Sequence, residues 1–230
     1  MDYTLEFSKK YHEEELLEKD QVLLPVLKEV LSKRVWKSLV DLGCGSGYYA
    51  RRFAGKGKEI LGIDKNTNQL SIARKIEEEH PLGIKYQKSN LSNLRAIPSN
   101  HFDITFLNYV LIEIPNEEEI RNVCNEAYRI LKSKGALIIG QVHPHHINKN
   151  EGTAQKRLLN KEDSYFSNGC PAVSKALLRN GRYLTFEQDY HYTLEFILTT
   201  LGASGFKLRT LRELALNEGF PTHMVIVEEK

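Results

Sequence analysis

One glycine-rich stretch of the chain has residue types that could hold a small ligand with an anionic group. Residues 40–50 read V-D-L-G-C-G-S-G-Y-Y-A, and residues 39–42 form an apolar run typical of a buried strand. Because Gly43, Gly45 and Gly47 lack side chains, the backbone can turn sharply there and a ligand can lie against bare peptide groups. A helix that begins near Gly47 would offer unpaired N–H groups to a carboxylate or a phosphate. The stretch therefore predicts a cofactor-binding loop between a strand and a helix.

Two kinds of cofactor are compatible with this loop. The frame that begins at Gly45 reads G-S-G-Y-Y-A and fits the relaxed dinucleotide fingerprint, which ends in alanine, here Ala50. Asp41 lies just before the first glycine, where its carboxylate could receive the ammonium group of an amino-acid ligand, directly or through water. The same carboxylate would repel a pyrophosphate. Asp41 favours an amino-acid-bearing cofactor, and a nicotinamide-dependent oxidoreductase is the alternative.

The stretch resembles the first motif of class I S-adenosylmethionine-dependent methyltransferases of the small-molecule type. The resemblance comprises Asp41, the three glycines, and the strand and helix in register with them. The likeness covers about the first 142 residues and resumes after residue 190. It implies a Rossmann-like α/β fold in a single domain over residues 1–230, with a doubly wound, mostly parallel seven-stranded sheet, an antiparallel C-terminal strand and helices on both faces. It also implies S-adenosyl-L-methionine as cofactor, S-adenosyl-L-homocysteine as product, and Cys44 as a contact within the loop.

Further cofactor contacts are expected where the next two strands end. Asp64 is placed to accept hydrogen bonds from both hydroxyls of a ribose, and Lys65 follows it. Gln69 stands where the resembled family often has a larger apolar residue against adenine, although it could equally be an ordinary surface residue. Asn90 replaces the family's acid, and its amide could still pair with adenine, unless it only caps a following helix. The backbone N–H of Leu91 is the other adenine contact that the resemblance implies.

The segment F-D-I-T-F-L-N-Y-V-L resembles the family's fourth motif. It implies that the backbone carbonyl of Asn108 meets the cofactor's ammonium group and that Tyr109 or Val110 faces the methyl group, which makes Tyr109 a catalytic candidate as well. Val110 and Leu111 stand where amide and exocyclic-amine methyltransferases have two prolines, so methylation of nucleic-acid adenine or of glutamine is disfavoured. Tyr11 is a possible contact from an N-terminal helical lid over residues 1–35, although an aromatic residue on an amphipathic helix is also a common core residue.

Histidine is the residue expected to act as a base, because a hydroxyl or ammonium acceptor must lose its proton to a group whose pKa lies near the working pH. His143 is the first candidate, since it follows the carboxyl end of a predicted central strand, where open sheets bind ligands. His191 is the second. The H-P-H-H run at 143–146 predicts no metal site, because neighbouring side chains on an extended segment point to different faces.

Residues 143–190 interrupt the alternation of helical and strand patterns with polar residues, aromatic residues, glycines and a proline. Long segments of this kind within a domain are usually functional, so we expect an insertion that covers the substrate site; a partly disordered surface loop is the alternative. The density of aromatic residues there predicts a pocket for a flat or amphipathic organic substrate. The residues concerned are Tyr165, Phe166, Tyr183, Phe186, Tyr190 and Tyr192.

Periodicity along the chain predicts a parallel sheet with helices on both faces. Strands are predicted at 39–42, 59–63, 84–88, 102–107, 136–142, 206–211 and 223–228. Helices are predicted at 11–32, interrupted by Pro25, and at 48–56, 68–79, 116–131 and 192–204.

Composition is that of a soluble globular protein, with 230 residues, 41% hydrophobic and 27% charged. The net charge of +2 is too small to indicate a nucleic-acid surface. Three cysteines without metal-type spacing disfavour a disulfide framework, and neither a signal peptide nor a membrane-spanning run is apparent, so a cytoplasmic location is expected.

Together these observations predict transfer of a methyl group to an oxygen, nitrogen or carbon atom of a small metabolite by in-line displacement, which depends mainly on alignment and exclusion of water. A nicotinamide-dependent oxidoreductase and a noncatalytic nucleoside-binding regulator are the alternatives.

Overall fold

The computed structural model describes residues 3–13, 19–147, 155–178, 180–215 and 221–230. The helices are α1 (Leu5–Glu13), α2 (Leu24–Ser32), α3 (Tyr48–Phe53), α4 (Thr67–Glu79), α5 (Glu117–Ile130) and α6 (Leu194–Ala203). The strands are β1 (Ser38–Leu42), β2 (Glu59–Asp64), β3 (Lys85–Lys88), β4 (Phe102–Asn108), β5 (Leu131–Val142), β6 (Gln155–Leu159), β7 (Cys170–Leu177), β8 (Tyr183–His191), β9 (Lys207–Leu214) and β10 (His223–Glu229). A π-helical turn (Lys19–Leu23) and a 3-10 helix (Leu111–Glu113) complete the elements.

The central sheet has seven strands in the order β3-β2-β1-β4-β5-β10-β9. Neighbouring strands from β3 to β5 are parallel, and β10 runs antiparallel to both β5 and β9. The predicted fold class is therefore confirmed, with β10 as the antiparallel strand. The chain extends from β1 to one side through β2 and β3, then returns to β4 on the other side of β1. In sheets of this type ligands bind at the carboxyl ends of the strands beside that reversal.

Strand β1 is the centre of the sheet, and each of its residues is buried. Its side chains alternate between the two faces, as the period of a strand requires. Val40 and Leu42 pack into the apolar layer formed with α5 and α6, whereas Leu39 packs into the layer formed with α2 and α3. Both faces of the sheet are thus covered by helices, which explains why Leu39, Val40 and Leu42 are apolar although they point to both faces.

Asparagine side chains cap the first turns of α4 and α5. The Asn66 side chain accepts a hydrogen bond from the Gln69 backbone N–H at the start of α4. Asn116 does the same for Glu119 at the start of α5. Such caps satisfy N–H groups that the first helical turn leaves unpaired. They fix where α4 and α5 begin, close to the predicted positions and at the carboxyl edge of the sheet.

The N-terminal region differs from the single helix predicted at 11–32. Helix α1 begins at Leu5, and α2 is a separate helix that begins at Leu24. Pro25 lies in the first turn of α2, where its missing N–H group removes no intrahelical hydrogen bond. The π-helical turn Lys19–Leu23 leads directly into α2, so Pro25 lies where the π-helical turn changes to an α-helix.

The predicted insertion contains a second sheet, with three antiparallel strands in the order β6-β7-β8. Along β7 the buried residues are Cys170, Ala172, Ser174 and Ala176, which alternate with more exposed ones. The buried face consists of small residues, so the alternation of buried and exposed positions along β7 gives only a weak hydrophobic pattern in the sequence. A small apolar cluster in this sheet packs against Phe7, whose ring meets Phe186 edge to face at 5.8 Å. The insertion sheet thus contacts α1.

Candidate functional site

An open cleft of about 910 Å³ lies at the carboxyl ends of β1, β2 and β4. It lies where the topology of the sheet predicts a ligand site. Most of the residues predicted to contact the cofactor line it. They are Gly43, Cys44, Gly45, Asp64, Lys65, Gln69, Asn90, Leu91, Asn108, Tyr109 and Val110.

The glycine loop forms one wall of the cleft. Gly43, Gly45 and Gly47 have φ angles of 74°, 54° and 84°, a region that side-chain-bearing residues rarely adopt. A Cβ atom on Gly43 would collide with the Val110 side chain. The N–H group of Gly43 donates to the Ile63 carbonyl at 2.7 Å, which ties the loop to the end of β2. The backbone conformation therefore favours glycine at all three positions, and close packing also requires it at Gly43 and Gly47.

Asp64 connects that loop to the start of α4. Its Oδ2 accepts a hydrogen bond from the Gly45 N–H group and its Oδ1 accepts one from Asn66, both at 2.8 Å. Each carboxylate oxygen has a further lone pair, so both retain capacity to accept from a ligand hydroxyl. Burial raises the pKa of Asp64, and the two backbone N–H donors act in the opposite direction. The geometry fits the predicted contact with two ribose hydroxyls.

Asp41 and two other predicted contacts do not line the cleft. The Asp41 side chain is buried, and its Oδ2 accepts a hydrogen bond from the Ala50 N–H group at 3.2 Å in the first turn of α3. A carboxylate is favourable there because the helix N-terminus carries partial positive charge. Gly47 immediately precedes α3 as its N-cap. The side chain of Tyr11 lies outside the described residues. The loop lies between the Asp41 carboxylate and the cleft, so a contact of Asp41 with an ammonium group stays a prediction.

Asn108 provides a buried polar group on the cleft wall. Only 6% of it is exposed, and neither atom of its amide has a hydrogen-bond partner among the described residues. Gly140 on β5 leaves space for it, because a Cβ atom there would lie 2.7 Å from Asn108 Oδ1. A buried amide without partners is unfavourable by about 1–3 kcal/mol, so this position favours a ligand with polar groups.

Tyr109 follows in a left-handed backbone conformation, with φ of 58°. That conformation is unfavourable by about 1–2 kcal/mol for a residue with a side chain. The Tyr109 N–H group donates to the Gly140 carbonyl at 2.8 Å, which holds the turn in place. Strain of this kind is concentrated at ligand sites, and here it turns the chain sharply after β4.

The predicted adenine contacts have different surroundings. Gln69 is 2% exposed, so it is not an ordinary surface residue, and both atoms of its amide lack a partner among the described residues. The Asn90 Oδ1 accepts hydrogen bonds from the N–H group and the hydroxyl of Ser92, at 3.1 and 3.0 Å. Its carbonyl therefore caps a turn and not the helix of the alternative interpretation, and its amide nitrogen is the part suited to a ligand.

The thiol of Cys44 is buried beneath the glycine loop. Burial raises its pKa well above the usual value, and the nearby Asp41 and Asp64 carboxylates add to the shift. The residue lines the cleft, yet only 6% of it is exposed. The thiol is thus held in its neutral form and is unsuited to nucleophilic chemistry.

Neither histidine predicted as a base lines the cleft. His143 is 4% exposed; its Nδ1 accepts from the His145 N–H group at 3.1 Å, and its Nε2 lies 2.9 Å from a carboxylate oxygen of Glu213. Burial lowers the pKa of His143. His191 is fully buried, and its Nε2 lies 2.7 Å from the Tyr165 carbonyl. The structure therefore corrects the expectation of a histidine at this cleft, since both rings are engaged elsewhere.

The aromatic residues of the insertion and its flank do not line this cleft either. Tyr192 belongs to the main core and donates its hydroxyl proton to the Ile114 carbonyl at 2.7 Å. Tyr165 packs beside His191, and Phe166 is largely exposed. The predicted aromatic pocket is therefore not part of the cleft.

Glu113 and Tyr3 are cleft residues that the sequence reasoning missed. The Tyr3 hydroxyl donates to Glu113 Oε1 at 2.7 Å, and the Tyr3 carbonyl accepts hydrogen bonds from the side chains of Asn66 and Asn68. A signal was present, because Glu113 is a lone acid between Ile112 and Ile114 just beyond a central strand. Tyr3 lies far from the other motifs, and nothing in its local sequence distinguishes it.

No group of three or more histidine, cysteine or acidic residues in the described part of the chain is arranged to hold a metal ion. In the same residues, no helix has both the length and the apolar character needed to cross a bilayer.

Comparison with known proteins agrees with the fold and the cleft. A family described as methyltransferase domain matches residues 40–139, the segment from β1 to β5. A ubiquinone biosynthesis O-methyltransferase of Actinobacillus pleuropneumoniae is 30% identical over 111 residues, 46% of this chain and 46% of that protein. The chain spans less than half the length of the curated relatives it matches first.

Solved structures match over nearly the whole chain. An S-adenosylmethionine-dependent methyltransferase from Methanosarcina mazei has a TM-score of 0.64 at 20% identity, with 90% of this chain and 98% of that chain covered. Another from Aquifex aeolicus has a TM-score of 0.66 at 14% identity, with 99% of both chains covered. At these identities the likeness concerns the fold.

The sheet order and the strand-end cleft define the fold of the class I S-adenosylmethionine-dependent methyltransferases. Residues 40–139 match a methyltransferase domain, which confirms the resemblance recognised from Asp41 and the glycines. S-adenosylmethionine is the cofactor that this domain and fold imply, with S-adenosylhomocysteine as product.

Proposed function

We propose that this protein transfers a methyl group from S-adenosylmethionine to an oxygen, nitrogen or carbon atom of a small organic molecule. One observation carries the proposal: the cleft combines a bare glycine bend, a strand-end carboxylate and an unpartnered buried amide, at Gly45, Asp64 and Asn108. A nucleoside with an amino-acid tail has hydroxyl, ammonium and carboxylate groups that complement these features.

The residues that would hold the cofactor divide the cleft into three parts. Asp64 would accept hydrogen bonds from the ribose hydroxyls, with Lys65 and Gln69 beside it. Asn90 and the backbone N–H of Leu91 would lie at the adenine. The glycine loop, with Asp41 beneath it, and Asn108 would hold the amino-acid tail. Each assignment follows from position on the cleft wall or directly under it.

The bound cofactor supplies a methyl group on a positively charged sulfur, which becomes neutral when the methyl leaves. The chain's own residues then have to align the acceptor and exclude water, which is the main requirement of an in-line displacement. Tyr109 and Val110, on the strained turn after β4, line the cleft and would align the acceptor. Tyr3 lines the cleft, and the Nδ1 of His12 on α1 lies 3.1 Å from the Ser46 hydroxyl in the glycine loop. This contact supports the predicted N-terminal lid.

The acceptor is proposed to be a small molecule because the chain lacks a strong positive charge and the double-proline motif of nucleic-acid adenine methyltransferases. The matched ubiquinone biosynthesis O-methyltransferase supports the same class of substrate. A cytoplasmic location is proposed from the sequence reasoning alone.

Isothermal titration calorimetry tests the cofactor assignment. We expect the wild type to bind S-adenosylmethionine and S-adenosylhomocysteine and to show no heat with NAD. Asp64→Asn should weaken both interactions tenfold or more, because a charge-assisted hydrogen bond contributes about 1.5–3 kcal/mol. The control Glu78→Gln, on the exposed surface of α4, should bind as the wild type does.

Two results would contradict the proposal. Binding of NAD without binding of S-adenosylmethionine would replace it with the oxidoreductase alternative. Unchanged affinity in Asp64→Asn would show that the ribose does not lie at the end of β2. Transfer itself is tested with methyl-labelled cofactor and the low-molecular-weight fraction of a cell extract, where product above the level of a protein-free control is expected. Absence of product would favour the noncatalytic regulator.

A further inference from the structure

Glu113 is an acid on the cleft wall that the proposed cofactor contacts leave unused. It ends the 3-10 helix that directly follows Tyr109 and Val110, the residues expected to face the methyl group. Strand β8 of the insertion packs against this short helix. Glu113 therefore lies where the methyltransferase domain meets the insertion, on the side of the cleft from which an acceptor would approach.

The carboxylate is held in place from the N-terminal side. Tyr3 donates its hydroxyl proton to Oε1, and its own carbonyl is fixed by the Asn66 and Asn68 side chains at the start of α4. The Tyr3 ring also stacks on Phe7 at 4.7 Å, and Phe7 packs against the insertion sheet. With Oε1 engaged by Tyr3, Oε2 is the oxygen through which Glu113 can take part in chemistry.

Burial, and to a lesser extent nearby carboxylates, make Glu113 an unusually basic carboxylate. Burial raises its pKa to about 7, the Asp189 carboxylate on β8 and the Asp64 carboxylate add to the rise, and the Tyr3 hydrogen bond opposes it. Lys65 and Glu119 are the further charged residues on the cleft wall. A base functions best when its pKa lies near the working pH.

We propose that Glu113 is the group that takes the proton from the methyl acceptor, and that the acceptor is a hydroxyl or amine bearing that proton. This inference rests on the proposed function. The X–H bond of the acceptor breaks, its proton moves to Oε2 of Glu113, and its electron pair forms the new bond from X to the methyl carbon. The electron pair of the former methyl–sulfur bond remains on sulfur, so the charges balance.

Glu113 thus occupies the role that the sequence suggested for His143. Tyr3 acts as a positioning residue, because it orients the carboxylate without itself receiving the proton. The same arrangement predicts a preference for a proton-bearing acceptor, since a negative carboxylate beside the reacting atoms attracts an X–H dipole or an ammonium group.

Two nucleosides that differ at the reacting position test this proposal. Sinefungin resembles S-adenosylhomocysteine but has a carbon bearing an ammonium group in place of the sulfur. We expect the wild type at about pH 8 to bind sinefungin about tenfold more tightly than S-adenosylhomocysteine, because the ammonium group reaches Glu113. Glu113→Gln should abolish this preference and leave the affinity for S-adenosylhomocysteine within about twofold.

A control and a pH series make the test specific. Glu118→Gln changes an exposed acid on α5 close in sequence and should retain the full preference. In the wild type the preference should grow as pH rises through about 7, where Glu113 ionises. Tyr3→Phe removes the hydrogen bond that lowers this pKa, so the midpoint should move to higher pH, an effect that a purely structural role would not produce.

The outcomes separate the two proposals. If the wild type binds neither nucleoside, the proposed function fails and this inference fails with it. If both nucleosides bind and Glu113→Gln retains the preference for sinefungin, the inference alone is overturned. If Glu113→Gln does not fold, an unchanged midpoint in Tyr3→Phe overturns it and a raised midpoint supports it.

Discussion

Replacing Gly47 with alanine tests the physical account of the glycine loop. The φ angle of 84° makes an alanine unfavourable by about 1–2 kcal/mol. The new Cβ atom would also collide with the Tyr86 hydroxyl and lie 3.0 Å from Cζ. The Tyr86 ring has little room to withdraw, since it already fills the space that Gly62 leaves on its other side. Overpacking of this kind adds about 1–3 kcal/mol.

Gly57→Ala is the matched control. Gly57 has a similar φ of 78°, but no atom would lie within 4 Å of its Cβ, so only the backbone cost applies. We expect the loss of unfolding free energy in Gly47→Ala to be two to three times that in Gly57→Ala, measured by urea titration. In thermal unfolding, each kcal/mol corresponds to roughly 2–4 °C for a chain of this size.

The variant Tyr86→Phe tests whether the collision with the Tyr86 hydroxyl causes the larger loss of stability in Gly47→Ala. The Tyr86 hydroxyl is buried without a hydrogen-bond partner among the described residues, so its removal should change stability little. Combined with Gly47→Ala, it should recover part of the overpacking cost and none of the backbone cost. Equal losses in Gly47→Ala and Gly57→Ala would refute this reasoning, as would a double variant no more stable than Gly47→Ala.

Two further predictions concern stability outside the cleft. Burial raises the pKa of Glu228 on β10 to about 7, so the free energy of unfolding should fall as pH rises from about 4.5 to 7. Glu228→Gln should remove that fall in urea titrations, and an unchanged pH dependence in the variant would contradict the prediction. Arg129 donates to the carbonyls of Leu94 and Ile97 at 2.8 Å, so Arg129→Met should lower the free energy of unfolding by about 2 kcal/mol. The control Arg121→Met loses an exposed ion pair and should lower it by under about 0.5 kcal/mol. Equal losses in the two variants would contradict the prediction.

The sheet and the cofactor side of the cleft were largely predictable from the sequence. Apolar runs that end in a polar residue predicted both the strands and the edge at which Asp64 and Asn108 meet. This succeeds because parallel strands are buried on both faces and present their carboxyl ends together. The fold follows from many consistent local signals of this kind.

The acceptor side was not predictable, because it depends on contacts between distant parts of the chain. Glu113 acquires its environment from Tyr3, 110 residues away, and from Asp189 on the insertion. His143 was correctly placed at the end of β5, but Glu213 on β9 engages its ring away from the cleft. Strand β7 was missed because its buried face carries small residues, which give little hydrophobic contrast.

The buried thiol of Cys44 gives the protein an internal probe of access to its binding loop. Thiolates attack alkylating reagents, and the Cys44 sulfur is both neutral and shielded. Cys124 and Cys170 are buried as well. Iodoacetamide should therefore modify Cys44 only when the loop opens, and the rate of labelling would measure how often it does. No fluorophore or engineered cysteine is needed for such a measurement.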